Sequence, residues 1–261
     1  MLKERNMIFD SHAHYDDEQF DADRDTILDE IHKSGIARIV NVASDIESSY
    51  KCIELSEKYD WIYASAGIHP EFADTVNDET LAELEGLFKK NKVVALGEIG
   101  LDYYYDDVPR EVQRDAFRRQ LELAVKLDIP VIIHDREAHG DTLSIVQSFG
   151  GKVKGIMHCF SGSREFAEQM LKLGFYISFS GSVTFKNAVK LSEAADFVPD
   201  DRILAETDCP YLAPVPNRGK RNSSLFLPDT IRFLANLRST PYDEMCRITY
   251  DNACRVFGIN E

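Results

Sequence analysis

Two histidines near the beginning of the chain have the spacing of metal ligands on a β-strand. The segment from Ile8 to His14 starts with apolar residues and ends in His12 and His14. Side chains alternate between the two faces of a strand, so both imidazoles would project to the same side. Neutral imidazole binds Zn²⁺, Mn²⁺, Fe²⁺ or Ni²⁺ well, and the spacing therefore favours a divalent metal site. Two histidines in a loop would give the same short pattern, so the motif needs support from the rest of the chain.

Further residues of metal-ligand type lie at or just beyond the ends of short apolar runs elsewhere in the chain, and they are Glu98, His134, His158 and Asp208. A carboxylate such as Glu98 is costly to bury unless its charge is compensated, and a pair of metal ions bridged by its two oxygens would do so. His134 and His158 could instead be core histidines bonded to carbonyl groups. Asp208 could be a helix N-cap before Pro210, or a ligand that also accepts a proton from a metal-activated water.

These residues depend for their positions on eight predicted strands that alternate with amphipathic helices. The strands are expected at residues 8–14, 37–43, 62–68, 93–99, 130–134, 154–159, 175–180 and 202–206. The helices are expected at residues 20–34, 47–59, 78–90, 109–128, 139–149, 163–173, 186–197, 228–237 and 242–257.

Nearly continuous apolar strands alternating with helices predict a parallel sheet covered by helices. Eight such units fit an α/β fold of the (β/α)8 TIM-barrel type, and we expect one domain over residues 1–261. No Gly-x-Gly-x-x-Gly follows the first strand, which disfavours an open dinucleotide-binding sheet. In a barrel of this type the active site lies at the carboxyl ends of the strands. The sequence therefore predicts one metal site formed by His12, His14, Glu98, His134, His158 and Asp208.

Other residues at the same end of the predicted barrel are candidates for substrate binding. His69 ends the third strand, and we favour substrate contact over metal ligation for it. Arg136 follows His134 by two residues, and a basic loop at 217–222 follows the eighth strand. Guanidinium groups match phosphate oxygens well and an ammonium group also binds them, so Arg136 and the loop residues Arg218, Lys220 and Arg221 are candidates for phosphate contact. The alternative for the loop is a solvated charged surface. The tyrosines at 103–105 could stack on a base or pack the barrel rim.

Composition limits the classes of protein that the chain can represent. With 45 acidic and 30 basic side chains, the net charge of −15 disfavours a broad nucleic-acid surface but permits one local anion site. Five cysteines without a Cys-x-x-Cys predict neither a disulfide framework nor a cysteine zinc site. We find no long apolar segment and no apolar signal region after residues 1–6, so we expect a cytoplasmic protein that does not bind membranes.

Four longer motifs resemble the signatures of the TatD family of metal-dependent hydrolases. They begin at Phe9, Gly97, His158 and Glu206 and read FDSHAH, GEIGLDYY, HCFSG and ETDCPYL. The resemblance spans nearly the whole chain and implies a TIM barrel of the amidohydrolase superfamily with magnesium-dependent deoxyribonuclease activity, commonly 3′ to 5′. It further implies one metal held by His12, His14 and Asp208, a second held by His134 and His158, and Glu98 as the bridge.

The function expected from residues and resemblance together is hydrolysis of phosphodiester bonds with two divalent ions. Mg²⁺ is the expected ion, Mn²⁺ or Zn²⁺ are alternatives, and Glu98 and Asp208 are the expected catalytic residues. The expected substrate is DNA, single-stranded or at its 3′ ends, and no obligate protein partner is implied. One departure stands out, because Ser223-Ser224 replaces the Glu-Pro that is common in the family after the basic loop. The alternatives are hydrolysis of a small ester, amide or phosphate, and a non-catalytic metal-binding scaffold.

Overall fold

Eight parallel strands form one sheet in the order of the chain in a computed structural model that describes residues 7–105 and 107–259. The strands are β1 (Ile8–Ala13), β2 (Ile36–Asn41), β3 (Ile62–Ala66), β4 (Val93–Asp102), β5 (Val131–Arg136), β6 (Gly155–Met157), β7 (Tyr176–Phe179) and β8 (Ile203–Ala205). Each strand pairs with the next one in parallel. The predicted (β/α)8 barrel is confirmed.

Helices follow the strands in alternation and cover the sheet. They are α1 (Arg24–Ser34), α2 (Ile46–Lys58), α3 (Asp78–Leu87), α4 (Arg110–Leu127), α5 (His139–Ser148), α6 (Arg164–Lys172), α7 (Val189–Phe197), α8 (Leu227–Leu237) and α9 (Tyr242–Phe257). Local sequence sets several of their ends. Gly35 ends α1 in the left-handed conformation, and Asp45 and Ser48 form a capping box at the start of α2. No helix of the described residues is both long and apolar enough to cross a membrane.

Four predicted boundaries differ from the structure by three residues or more. Helix α3 ends at Leu87 and not at residue 90, and α7 begins at Val189 and not at residue 186. Helix α1 begins at Arg24 and not at residue 20, because Glu18–Phe20 forms a separate 3₁₀ turn before it. Strand β4 continues three residues beyond the predicted end at 99, since Gly100, Leu101 and Asp102 go on pairing with β5. The longer strand carries Asp102 to the site beside His134.

The barrel closes next to the His-x-His motif. The backbone N–H of Asp208 donates to the carbonyl of His12 at 3.0 Å, and that of His14 donates to the carbonyl of Cys209 at 2.8 Å. These bonds join the end of β1 to the segment after β8. The first and last ligand candidates of the chain are therefore fixed to one another through the backbone.

Apolar side chains from β1, β2 and β4–β8 form a cluster with the last helix. Phe9 of β1 packs against Tyr250 and Phe257 of α9, with ring centroids 6.0 Å apart in each pair. Since Phe9 stands near the beginning of β1, α9 covers the barrel at the amino-terminal end of that strand. Polar side chains collect at the opposite ends of the strands, where apolar packing does not exclude them.

We predict that Gly100→Ala lowers the free energy of unfolding by at least about 2 kcal/mol. Gly100 has a φ of +145°, and a Cβ there would lie 2.0 Å from the carbonyl oxygen of His134. Gly86→Ala in α3 is the control, because a Cβ there meets no atom within 4 Å and should stabilise by up to about 1 kcal/mol. Denaturant unfolding measures both, and equal midpoints for Gly100→Ala and the unsubstituted protein would contradict the close approach of β4 to β5.

Candidate metal centre

The carboxylate of Glu98 lies at the centre of the predicted ligands, and it is 4% exposed. Its Oε1 is 2.6 Å from His134 Nδ1 and 2.8 Å from His158 Nε2. Its Oε2 is 3.3 Å from His12 Nε2 and 3.9 Å from His14 Nε2. The two oxygens thus divide the four histidines into two pairs, and each pair has one carboxylate oxygen beside it.

Asp208 joins the pair formed by His12 and His14. Its Oδ1 is 3.4 Å from His14 Nε2 and 3.7 Å from His12 Nε2, and the two imidazole Nε2 atoms are 3.0 Å apart. The prediction that His12 and His14 project to the same side is confirmed. Asp208 has a φ of +58° in the turn after β8, where no described helix starts, so the N-cap alternative is wrong.

Hydrogen bonds fix the tautomers of two of the imidazoles. His14 Nδ1 lies 2.8 Å from the carbonyl of Val42, which can only accept, so Nδ1 carries a hydrogen and Nε2 is the atom that can bind a metal once it is deprotonated. His158 Nδ1 lies 3.0 Å from the Glu206 carboxylate, which leaves its Nε2 directed at Glu98 and available to a metal once it is deprotonated. A lone pair and a carboxylate repel unless a proton or a cation lies between them. The donor set therefore fits divalent cations.

The charges around the site favour protonated histidines, so protons compete with metal ions for the imidazole nitrogens. Burial disfavours the charged form of His14, yet the hydrogen bond and charge of Asp208 raise its pKa to about 9. Burial also opposes protonation of His134, but its hydrogen bonds to Asp102 and Glu98 raise the pKa to about 9. Burial would favour neutral Glu98, and the charges of His158 and His12 instead lower its pKa well below the usual value.

Two carboxylates that the sequence interpretation missed support these imidazoles. Asp102 Oδ2 is 3.0 Å from His134 Nε2, so the Nδ1 of that ring faces Glu98. Glu206 Oε1 contacts His158 Nδ1 at 3.0 Å and accepts from the N–H of Cys159 at 2.6 Å. Carboxylates in this position orient metal-binding histidines and raise their basicity. The available signal was an acidic residue at the end of a buried strand, four residues after Glu98 and two before Asp208.

One nitrogen of His12 and the second oxygen of Glu206 have no hydrogen-bond partner within residues 7–105 and 107–259. Both His12 Nδ1 and Glu206 Oε2 are buried. The His12 and His158 rings stack with centroids 3.8 Å apart, and ligand atoms of His12, His158 and Glu206 lie within 4.8 Å of one another. Glu206 therefore supports His158 and lies close to His12 of the other pair.

His69 lies against the second pair but presents a hydrogen atom to it. Its Nδ1 accepts the backbone N–H of Glu71 at 3.2 Å, and burial together with the charge of His134 lowers its pKa to about 3. The neutral ring therefore carries its hydrogen on Nε2, 3.8 Å from Glu98 Oε1. Although His69, Glu98 and His134 are close enough to share an ion, this tautomer makes His69 a hydrogen-bond donor.

The cationic candidates differ in how far their charges are already paired. Arg221 forms two hydrogen bonds with the Asp23 carboxylate, at 2.9 and 2.6 Å, and fixes the basic loop to the segment before α1. Arg218 stacks on Phe185, and Lys220 contacts the side-chain oxygen of Asn217 in its own loop. Arg136 lies over the ring of Tyr104. Contact of these four side chains with substrate stays a prediction.

Ser224, at the departure from the family motif, belongs to a buried hydrogen-bond network. Its Oγ donates to Asp10 Oδ2 at 2.6 Å, and its N–H donates to Tyr15 Oη at 2.8 Å. The same Asp10 carboxylate accepts from the N–H and Oγ1 of Thr207, at 2.9 and 2.6 Å. Ser224 therefore anchors the segment after the basic loop to β1 and to the residue that precedes Asp208.

Known proteins with the same sequence pattern and fold identify the class. The sequence model described as TatD related DNase matches residues 9–258. The uncharacterised metal-dependent hydrolase YabD of Bacillus subtilis is 43% identical over 97% of this chain and 100% of its own length. The 3′-5′ ssDNA/RNA exonuclease TatD of Cronobacter sakazakii is 33% identical over 96% and 97% of the two chains.

A solved structure shares the whole fold. The crystal structure of YjjV, a TatD homologue from Escherichia coli K12, superposes with a TM-score of 0.90 at 30% identity and covers 97% of this chain and 98% of that one. Barrel, ligand cluster and relatives together define a metal-dependent hydrolase. The chain belongs to the TatD family.

We predict that metal binding releases protons near neutral pH and that metal affinity rises with pH up to about 9. His14 and His134, whose pKa values are raised to about 9, are protonated at neutral pH and must lose a proton to bind an ion. Titration calorimetry of metal-stripped protein in two buffers of different ionisation enthalpy should show a net release of protons on metal binding. A binding enthalpy that does not depend on the buffer would contradict the assigned protonation.

We predict that Glu206→Gln weakens metal binding about 10- to 100-fold, because a neutral amide supports the His158 imidazole less well than a carboxylate does. The measurement is the dissociation constant for Mn²⁺ by calorimetry, together with the melting temperature of the metal-free protein. Glu30→Gln on the exposed side of α1 is the matched control. Unchanged Mn²⁺ affinity in Glu206→Gln would remove the supporting role.

Proposed function

We propose that this protein hydrolyses phosphodiester bonds of DNA from the 3′ end, with two divalent ions bound around Glu98. The observation that carries the proposal is the division of the Glu98 carboxylate between the pair His12 and His14 and the pair His134 and His158. Two ion positions that share one carboxylate suit displacement at phosphorus. Mg²⁺ is the ion expected from the family resemblance, and the imidazole donors suit Mn²⁺ or Zn²⁺ as well.

Each residue of the site has a task in this reaction. Bound divalent ions would supply Lewis-acid activation of water and of the phosphoryl group. Asp208, beside His14 and partly exposed, would orient the attacking water and accept its proton. The water oxygen forms a bond to phosphorus, the bond from phosphorus to the leaving 3′ oxygen breaks, and that oxygen takes a proton from solvent. His69 would donate its Nε2 hydrogen to a phosphoryl oxygen.

Positively charged side chains near the site and the name of one relative support a nucleic acid as the substrate. Arg218 and Lys220 of the basic loop, together with Arg136, would bind phosphates beside an otherwise acidic protein. Arg221 would act mainly by holding this loop, because Asp23 already occupies its guanidinium group. The relative from Cronobacter sakazakii is named an ssDNA/RNA exonuclease, which supports a single-stranded nucleic acid as substrate here.

The test is hydrolysis of a 5′-labelled single-stranded DNA by metal-stripped protein to which Mg²⁺ or Mn²⁺ is added back. We expect a ladder of products shortened from the 3′ end. Asp208→Asn should lower kcat at least about a hundredfold, because it removes the proton acceptor. Glu98→Ala should abolish cleavage and lower the number of ions bound, since the bridging carboxylate is gone.

Asp128→Asn is the matched control for Asp208→Asn. Asp128 is exposed and in the left-handed conformation at the end of α4, which asparagine adopts readily. The activity of the Asp128→Asn protein should equal that of the unsubstituted protein. An Asp208→Asn protein that binds metal and keeps full activity would refute the assigned proton acceptor. Turnover of small esters or amides, without cleavage of any oligonucleotide, would move the function to a small-molecule hydrolase.

A further inference from the structure

Two tyrosines project into solvent directly after the strand that carries Glu98. Tyr104 is 53% exposed and Tyr105 is 43% exposed, and no described residue hydrogen bonds to either hydroxyl group. Tyr103 beside them is different, because it is buried and its hydroxyl donates to Asp141 at 2.6 Å. Tyr103 therefore packs the barrel rim, whereas Tyr104 and Tyr105 have no structural task that the described residues account for.

The backbone of this tyrosine pair is fixed to the metal centre through one carboxylate. Asp102 Oδ1 accepts the N–H of Tyr104 at 2.9 Å and that of Tyr105 at 3.3 Å. The other oxygen of Asp102 lies 3.0 Å from His134 Nε2. A ligand held by the tyrosines would therefore lie at a defined position relative to the predicted metal ligand His134.

Arg136 covers one face of the Tyr104 ring. Its guanidinium carbon lies 3.8 Å from the Tyr104 centroid and 5.1 Å from that of Tyr105, and the two rings are perpendicular with centroids 4.9 Å apart. No carboxylate of the described residues lies within ion-pair distance of Arg136. The exposure of Tyr104 therefore belongs to its other face, and behind that ring lies a guanidinium group that forms no ion pair with the described residues.

This arrangement fits a flat aromatic ligand that carries an anionic group. Bases stack on tyrosine through their π-faces without regard to sequence, and the nearby guanidinium group suits the attached phosphate. Two side chains offer far less area than a specific protein interface needs. A nucleotide of the substrate strand fits the surface better than a protein partner does.

We propose that Tyr104, backed by Arg136, stacks with an unpaired base of the DNA strand beside the scissile phosphate. The proposal rests on the proposed function, and it deepens it by giving the site a reason to select unpaired ends. A base inside a duplex has both faces covered by its neighbours and offers none to Tyr104. A terminal base that is unpaired and unstacked can turn onto the ring while its phosphate reaches the metal centre.

The first experiment compares KM for two DNA strands that differ only in whether the 3′-terminal nucleotide carries a base or is abasic. The unsubstituted protein should prefer the base-bearing strand by about tenfold or more, the usual contribution of one stacked base. Tyr104→Ala should reduce this preference nearly to one, and Tyr104→Phe should retain it because the ring remains. Tyr50→Ala, which removes a 45% exposed tyrosine bonded to Glu83 on the helical face, is the matched control and should keep the full preference.

A second readout does not depend on cleavage. A strand that ends in 2-aminopurine, bound in the presence of Ca²⁺, should lose fluorescence when the base stacks on Tyr104, and Tyr104→Ala should abolish that loss. An unchanged preference and unchanged quenching in Tyr104→Ala would overturn the inference while leaving the nuclease function intact. If the unsubstituted protein cleaves no oligonucleotide, the proposed function fails, and quenching alone then decides whether Tyr104 binds a base.

Discussion

The site depends on one buried negative charge that several imidazoles share. Glu98 is buried within the second half of β4, where an uncompensated carboxylate would be strongly unfavourable. Four histidines surround this carboxylate, with His134 and His158 nearest to Oε1 and His12 and His14 nearest to Oε2. Every other polar group of the site either orients one of these imidazoles or lies next to a ligand. The need to compensate Glu98 therefore explains why residues from five strands or strand ends converge on one point.

Two further carboxylates determine which nitrogen of the neighbouring imidazoles faces Glu98. Asp102 and Glu206 occupy the outer nitrogens of His134 and His158, and the Val42 carbonyl occupies that of His14. Each inner nitrogen is then directed at Glu98 or Asp208, where an ion or a proton satisfies it. The backbone bonds that close the barrel hold Asp208 beside His12, and Ser224 with Asp10 braces Thr207. The contacts that close the barrel therefore also hold the predicted ligands in position.

The sequence was sufficient to predict the strands and the metal-ligand residues at their ends. It did not predict the residues whose role depends on a particular hydrogen bond. The period of the strands and the position of His12, Glu98, His134 and Asp208 follow from apolar runs and the rules of parallel barrels. The supporting roles of Asp102 and Glu206 depend on which imidazole nitrogen each one faces, and spacing carries no information about that. Arg221 and Arg218 lie in the same basic loop and look alike in the sequence. Arg221 nevertheless pairs with Asp23, which lies about 200 residues away in the chain.

The charge of the protein makes recognition of an anionic substrate a local matter. With a net charge of −15, the surface as a whole repels a polyanion, and two cations, Arg114 and Arg221, are already paired with the acidic residues Asp141 and Asp23. Arg136 is different, because aromatic rings lie against its guanidinium group and, within residues 7–105 and 107–259, no carboxylate pairs with it. Attraction for phosphate must therefore come from this guanidinium group, the basic loop and whatever ions the histidines hold. Affinity for substrate and metal loading are then coupled, since an empty centre leaves Glu98 and Asp208 to oppose the same phosphate that the ions would attract.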